Sequence, residues 1–231
     1  MRERSTILMK SAVRRTTLAV DVVVLSPHAD ALAVLLVRSP AGARERWSLP
    51  WDAPQATEEL EDAAARIAEA VLGSTPDYFE QVGAIADGKR HPGDAEVSVG
   101  IVALSPAGAG SPSGDAEWFP IASLPTLAPR HRTIVERAAA VVRQRVDQSP
   151  LAFRLLPPTF TLSDLQSIYE LLLSRPLHKA SFRRALQASY LVEPTDEWRS
   201  EGRGRPAQLF RFAPKKRRGA RRGVRFDLFS E

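Results

Sequence analysis

Carboxylates, Glu58, Glu61, Asp62 and Glu69 among them, crowd around one arginine, Arg66, in a short stretch of this 231-residue chain, Leu49 to Gly73. Such a set suggests two chemistries. Carboxylate oxygens can hold Mg²⁺ against phosphate groups, because that ion takes one or two carboxylates and fills its shell with water and substrate oxygens. A guanidinium can clamp phosphate or carboxylate in its planar fork. Glu61 and Glu69 are eight residues apart, so on a helix they share roughly one face. A lone acidic pair on a surface helix is ordinarily just solvated. Arg66 and Glu58, about two turns apart, are placed to pair with each other. The spacing favours an internal Arg–Glu clamp over a metal site.

A second set is basic and lies in the last third. Lys179, Ser181, Arg183, Arg184 and Gln187 follow one another closely, and Arg203 and Arg205 flank Gly204. The net charge of +5 hides an asymmetry: residues 1–150 carry 16 Lys and Arg against 19 Asp and Glu, whereas residues 151–231 carry 16 against 8. The balances are −3 and +8, so all the excess positive charge belongs to the second region. Such an imbalance is an electrostatic footprint for a polyanion, most often nucleic acid. Residues 214–231 add seven Lys and Arg against Asp227 and Glu231. That block reads as a solvated tail that raises non-specific affinity by counterion release. Val224, Phe226, Leu228 and Phe229 within it read as a short strand or docking segment.

These groups need a scaffold, and composition allows one. Apolar residues make up 44% and charged residues 26%, as in globular chains. The absence of cysteine excludes a disulfide framework, a thiolate metal site and a Cys nucleophile, and it fits a reducing cytoplasm. The longest apolar run, Ala31 to Val37, is too short to span a bilayer, and the basic start lacks the apolar core of a signal peptide. The chain is therefore expected to be cytoplasmic and without a membrane partner.

In the first region, Leu18–Leu25 and Ala31–Arg38 read as a strand pair around the turn-like Ser26 to Asp30. Leu60, Ala63, Ala64, Ile67 and Val71 recur at helical period, with acids at the start and Gly73 as the stop. Tyr78–Ile85 and Ala95–Leu104 read as strands, Ser105–Gly114 as a flexible loop and Arg130–Val146 as a helix. The punctuation from Asp147 to Pro158 divides the chain into domains 1–150 and 151–231. Beyond it, Thr161 and Asp164 form a capping-box variant ahead of a helix marked by Leu162, Leu165, Tyr169 and Leu172. A short turn leads to a second helix, His178–Ser189, with Phe182, Ala185 and Leu186 inward. Tyr190–Glu193 and Gln208–Phe212 then bracket a long polar hairpin. This is the layout of a winged helix-turn-helix, which presents one helix to the major groove and a wing to the backbone or minor groove.

The whole, roughly Leu18 to Phe212, resembles the Nudix-related transcriptional regulators. The resemblance is carried by Trp47-Ser48-Leu49-Pro50, the stretch around Arg66, Glu117-Trp118-Phe119-Pro120 with Leu124-Pro125 and His131, Phe160-Thr161-Leu162 with Leu165-Gln166 and Tyr169, Phe182-Arg183-Arg184, and Gly204-Arg205-Pro206-Ala207. Aligned on Arg66 and Gly73, the Nudix signature puts its early Glu at Glu58 and its leading Gly at Asp52, and its three metal-binding Glu positions at Ile67, Ala70 and Val71. The resemblance implies an α+β chain, a Nudix-like α/β/α sandwich followed by a winged helix. It implies a homodimeric repressor of NAD-metabolism genes whose Nudix unit is catalytically silent and senses ADP-ribose or a related nucleotide.

The expectation is a regulator of double-stranded DNA with a palindromic operator, not an enzyme, with no cofactor, metal or catalytic residue. Lys179, Ser181, Arg183, Arg184, Gln187, Arg203 and Arg205 are the DNA candidates. Arg38, Trp51, Arg66 and Arg90 are the effector candidates, with structural pairing as the competing use of Arg66 and core packing that of Trp47. Two alternatives stay open: a Nudix hydrolase acting on a nucleoside diphosphate sugar, and an RNA-binding module. The few aromatics on the basic surface weigh against base stacking with single strands.

Overall fold

The computed structural model describes residues 16–200 and 206–213. Arg203, Arg205 and the basic tail lie outside the described residues.

The first region is a mixed sheet between helices. Its centre is the long strand β1 (Leu18–His28), which pairs antiparallel with β2 (Ala31–Arg38) through the two-residue turn Ala29-Asp30. The turn expected from Ser26 onward starts later, because the strand continues to His28. Two-residue strands β3 (Trp47–Ser48) and β4 (Trp51–Asp52) pair with β2 and β1. Helix α1 (Leu60–Leu72) follows, then β5 (Tyr78–Ile85), β6 (Val97–Leu104) and β7 (Ala116–Pro120). The order is β3-β2-β1-β6-β5, with β7 on β2, and the β1–β6 pair is parallel. A central parallel pair covered on both faces needs continuous apolar sequence, and Val22 to Leu25 and Ile101 to Leu104 are buried without alternation.

Each face has its own cluster. Val20, Val22, Val24, Val99 and Ile101 meet Ala63, Ala64, Ile67, Ala68 and Leu72 of α1. The α1 stripe thus runs through Ala68 and Leu72, while Leu60 and Val71 are its half-buried margin. Gly73 caps the helix with φ of 73°, a conformation that costs glycine little. The Ser105–Gly114 loop is less free than its composition suggests. Ser113 N–H donates to Val71 O at 2.9 Å, and a Cβ on Gly110 would lie 2.3 Å from Leu72 O.

Val23, Leu25, Val34, Leu36 and Val102 form the other face and meet helix α2 (Pro129–Arg145) through Ile134, Val135, Ala138 and Val142. That cluster does not end at the sheet. It continues through Val146 and the 3₁₀ turn Leu151–Leu155 into the second region.

There a three-stranded sheet, β8 (Thr159–Phe160), β10 (Ala207–Phe212) and β9 (Val192–Arg199), backs helices α3 (Leu162–Leu173) and α4 (Lys179–Ser189). Phe160, Leu165, Ile168, Tyr169, Phe182 and Leu186 fill the interior. The Thr161–Asp164 capping box is complete, with Asp164 N donating to Thr161 Oγ1 at 3.1 Å and Thr161 N to Asp164 Oδ2 at 2.8 Å. Arg199, from β9, holds both oxygens of Asp164 at 2.8 Å, which fastens the wing to the start of α3. Burial opposes ionisation of Asp164, but Arg199 and the cap outweigh it and hold its carboxyl below the ordinary value. β9 outruns its expected end at Glu193 by six residues, since pairing with β10 overrides its polar composition.

Candidate functional site

The chemistry-bearing residues gather in three places. On α4, Lys179, Arg183, Arg184 and Gln187 are exposed and Ser181 is half-buried, its hydroxyl 3.4 Å from His178 Nδ1. Phe182, Ala185, Leu186 and Ser189 take the opposite side. A helix with four inward positions must offer the rest outward. Arg183 and Gln187, one turn apart, line a cleft of about 510 Å³ between α4, the start of α3 and the β9–β10 sheet. Thr161, Ser163, Tyr190 and Gln208 complete its polar wall. Arg183 and Arg184 make no ion pair among the described residues, so their guanidinia are available to an outside anion.

The second place is the entry to α1. Arg66 Nε donates to Glu58 Oε1 at 2.8 Å and Nη2 to Glu58 Oε2 at 3.0 Å. Nη1 donates to Asp52 Oδ2 at 2.7 Å and Nη2 also to Ala53 O at 3.2 Å. The Arg66 guanidinium holds the Glu58 carboxyl down at about 2. Asp52, standing where the Nudix signature has glycine, thus supplies a second acid to Arg66 and closes the loop. Four hydrogen bonds leave Arg66 as a clamp within the chain, the competing use recognised from its spacing.

The divalent metal of Nudix enzymes does not fit here. Ile67 is buried against the sheet, Val71 is half-buried, and with Ala70 they offer no oxygen. Glu61 is exposed, and Glu69 accepts from Thr75 Oγ1 at 3.1 Å.

The other effector candidates surround the β3–β4 segment. Arg38 lies over the Trp47 ring at 5.4 Å, with Arg46 also over it at 5.7 Å, and Arg38 reaches Glu117 at 3.8 Å. Arg90 pairs with Glu45. Trp51, about one-third exposed, sits edge-on against His91 with ring centroids 4.8 Å apart. Trp51, Arg90 and Arg66 therefore stand around one short segment, and Arg38 belongs to the neighbouring Trp47 platform.

The third place was not anticipated from sequence. Asp21, His91 and His131 are fully buried, with both His Nε2 atoms 2.9 Å from Asp21 Oδ1. Their donor atoms lie within 4.8 Å of one another, a spacing open to a metal ion. The backbone argues otherwise. Leu49 N–H donates to His131 Nδ1 at 3.1 Å and Gly93 N–H to His91 Nδ1 at 3.0 Å. Each imidazole therefore carries its proton on Nε2 and has no lone pair there for a metal; His91 donates to Asp21 Oδ1, whereas His131 Nε2 is close to that oxygen but misaligned for a hydrogen bond. The cluster is a buried carboxylate set between two imidazoles. Burial pushes the Asp21 carboxyl up, but the contacts with His131 and His91 outweigh it and leave it well below the usual range. Burial pushes His131 down from its ordinary value, and Asp21 only partly restores it.

The sign of the pH effect follows. Unfolded His131 takes a proton as pH falls below about 6.5, whereas folded His131 does so only at lower pH. Stability is therefore lost as pH falls through that value, well before Asp21 contributes. The urea midpoint should drop between pH 7 and pH 5.5, and His131→Asn should reduce that drop. An unchanged slope in the variant would show that other groups cause it.

Comparison with known proteins places this geometry. The NUDIX domain family matches residues 15–138, and the NrtR DNA-binding winged helix domain family matches residues 152–212. The ADPR responsive transcriptional repressor NtrR of Acinetobacter baylyi is 34% identical over 206 residues, covering 85% of this chain and 82% of that protein. The crystal structure of Shewanella oneidensis NrtR complexed with a 27mer DNA superposes with a TM-score of 0.74 at 30% identity, covering 85% of this chain and 94% of that one. A second crystal structure, of Shewanella oneidensis NrtR, superposes with a TM-score of 0.75 at 30% identity, covering 86% of this chain and 95% of that one.

Proposed function

This chain belongs to the NrtR family of transcriptional regulators, and on that premise we propose that it represses genes of NAD metabolism, in the cytoplasm, as a homodimer released from or held on DNA by ADP-ribose or a related nucleotide. The observation that carries the reading is the pairing of an exposed basic α4 with a Nudix-type domain whose helix α1 lacks side-chain oxygens at 67, 70 and 71. Arg183, Arg184 and Ser181 meet bases or adjacent phosphates. Lys179, Arg203 and Arg205 anchor the backbone, and Gln187 reads from the next turn of α4. Trp51, Arg90 and Arg38 face the nucleotide, with Arg66 shaping the loop that presents them. The division between the two domains falls at 150/151.

One winged helix covers few base pairs, so two copies on a palindrome supply the specificity. The acidic balance of residues 1–150 disfavours their lying on DNA, which makes the Nudix unit the natural dimer contact. Footprinting on the protein's own genomic fragments, with and without ADP-ribose, tests the reading. It requires a symmetric protected site whose occupancy responds to the nucleotide; an asymmetric site bound by a monomer counts against it.

Membership of a regulator family describes what the relatives do; silence toward substrate is the finer claim. Purified protein with Mg²⁺ or Mn²⁺ should release no AMP from ADP-ribose above background, because the three ligand positions are apolar. Turnover that Glu61→Gln or Glu69→Gln abolishes would restore the hydrolase reading.

A further inference from the structure

We propose that the buried Asp21–His91–His131 cluster couples the nucleotide-facing β3–β4 segment to helix α2, and through α2 to the DNA-binding unit, with Asp21 as the positioning residue at its centre. The proposal rests on the reading that the nucleotide binds beside Trp51.

Asp21 is fixed in the central strand and has no exposed surface. Two separate elements converge on its Oδ1. His91 comes from the loop between β5 and β6 and also accepts Gly93 N–H. Trp51 seats directly on that loop: a Cβ on Gly93 would lie 2.1 Å from its indole. His131 is the third residue of α2 and accepts the N–H of Leu49, two residues before Trp51. Arg130, its buried neighbour, donates to the carbonyls of Ala95 at 2.7 Å and Glu96 at 3.1 Å, so the first turn of α2 is fastened to the same loop. A ligand that displaces Trp51 must therefore move His91 or Leu49, and both are bonded into this cluster. At its other end α2 shares apolar interior with Leu165 and Tyr169 of α3.

Stability alone does not account for the cluster. Asp21 Oδ2 and His131 Nε2 are buried and find no aligned hydrogen-bond partner among the described residues, although His131 Nε2 lies 2.9 Å from Asp21 Oδ1. A buried charge with an unsatisfied oxygen is costly, and an apolar replacement of similar volume is often at least as stable. What the carboxylate adds is one shared contact between two imidazoles on different elements, a hydrogen bond to His91 and a 2.9 Å approach to His131.

The test uses the full chain as wild type, H131N, H131Q and D21N. Asn at 131 keeps an acceptor for the Leu49 amide and loses reach to Asp21; Gln keeps a donor toward Asp21 and loses that acceptor. Amide hydrogen exchange without ligand should rise at least tenfold at Leu49, at Gly93 and in the first turn of α2 together. The factor by which ADP-ribose changes affinity for a duplex recovered from genomic fragments should fall at least fivefold, while binding of each alone stays within threefold. An exchange increase confined to the element carrying the substitution overturns the proposal, as does an unchanged ADP-ribose factor. Should both His131 variants fail to fold, D21N, which preserves volume, carries both measurements. If ADP-ribose has no effect on wild-type DNA binding, the effector reading falls, and the exchange pattern alone decides whether the cluster links the segments.

Discussion

Arg183→Ala should weaken binding to the operator by roughly 10- to 100-fold, about 1–3 kcal/mol, while leaving binding to random duplex nearly unchanged. Arg183 is exposed on α4, faces the cleft shared with Gln187 and Gln208, and makes no ion pair among the described residues. Its removal should therefore cost the fold little. Lys179→Ala is the contrasting control. A flexible ammonium at the start of α4 serves phosphates, so its loss should weaken all duplexes alike and lower the salt slope by about 1. Fluorescence anisotropy on both duplexes at several salt concentrations separates the two. Equal losses on specific and random DNA for Arg183→Ala would move that residue to the backbone class.

The next-door substitution should act by a different route. Phe182→Ala removes a fully buried ring that packs against Tyr169 at 5.8 Å between centroids. Truncating a buried Phe ordinarily costs about 3–5 kcal/mol, a large part of a domain's net stability. All DNA binding should fall, specific and random together, in parallel with the melting temperature. A variant with normal melting but lost binding would mean that Phe182 supports α4's orientation and not its existence. Positions 182 and 183 thus separate interior from surface on one turn of helix.

The sequence was most legible where period and burial agree. Ala31–Arg38 stands out as a continuous apolar run buried on both sheet faces, and the α1 stripe as 3.6-residue spacing against one packed face. Strands β3, β4 and β8 leave no such trace, since two residues carry no alternation. The extension of β9 is masked by Pro194, Asp196 and Glu197, which read as loop although β10 pairs with Pro194 and, past an irregularity, with Trp198 and Arg199. The Nudix departures were legible by alignment, but not that Asp52 would complete the Arg66 clamp. The buried cluster was the largest omission. Its members are 70 and 40 residues apart, and only the fold unites them. One signal was present: Asp21 interrupts an otherwise apolar strand, and a carboxylate on a central strand must find partners.

The apolar interior that passes from the sheet through α2 into the winged helix also bears on modularity. Val142, Val146, Leu151 and Phe153 lie on the two sides of the nominal boundary within one continuous buried cluster. A winged helix transplanted from another chain would meet this seam with the wrong shape, exposing apolar surface on donor and host. New DNA specificity is more readily reached by exchanging the outward side chains of α4 than by grafting a different domain at the junction.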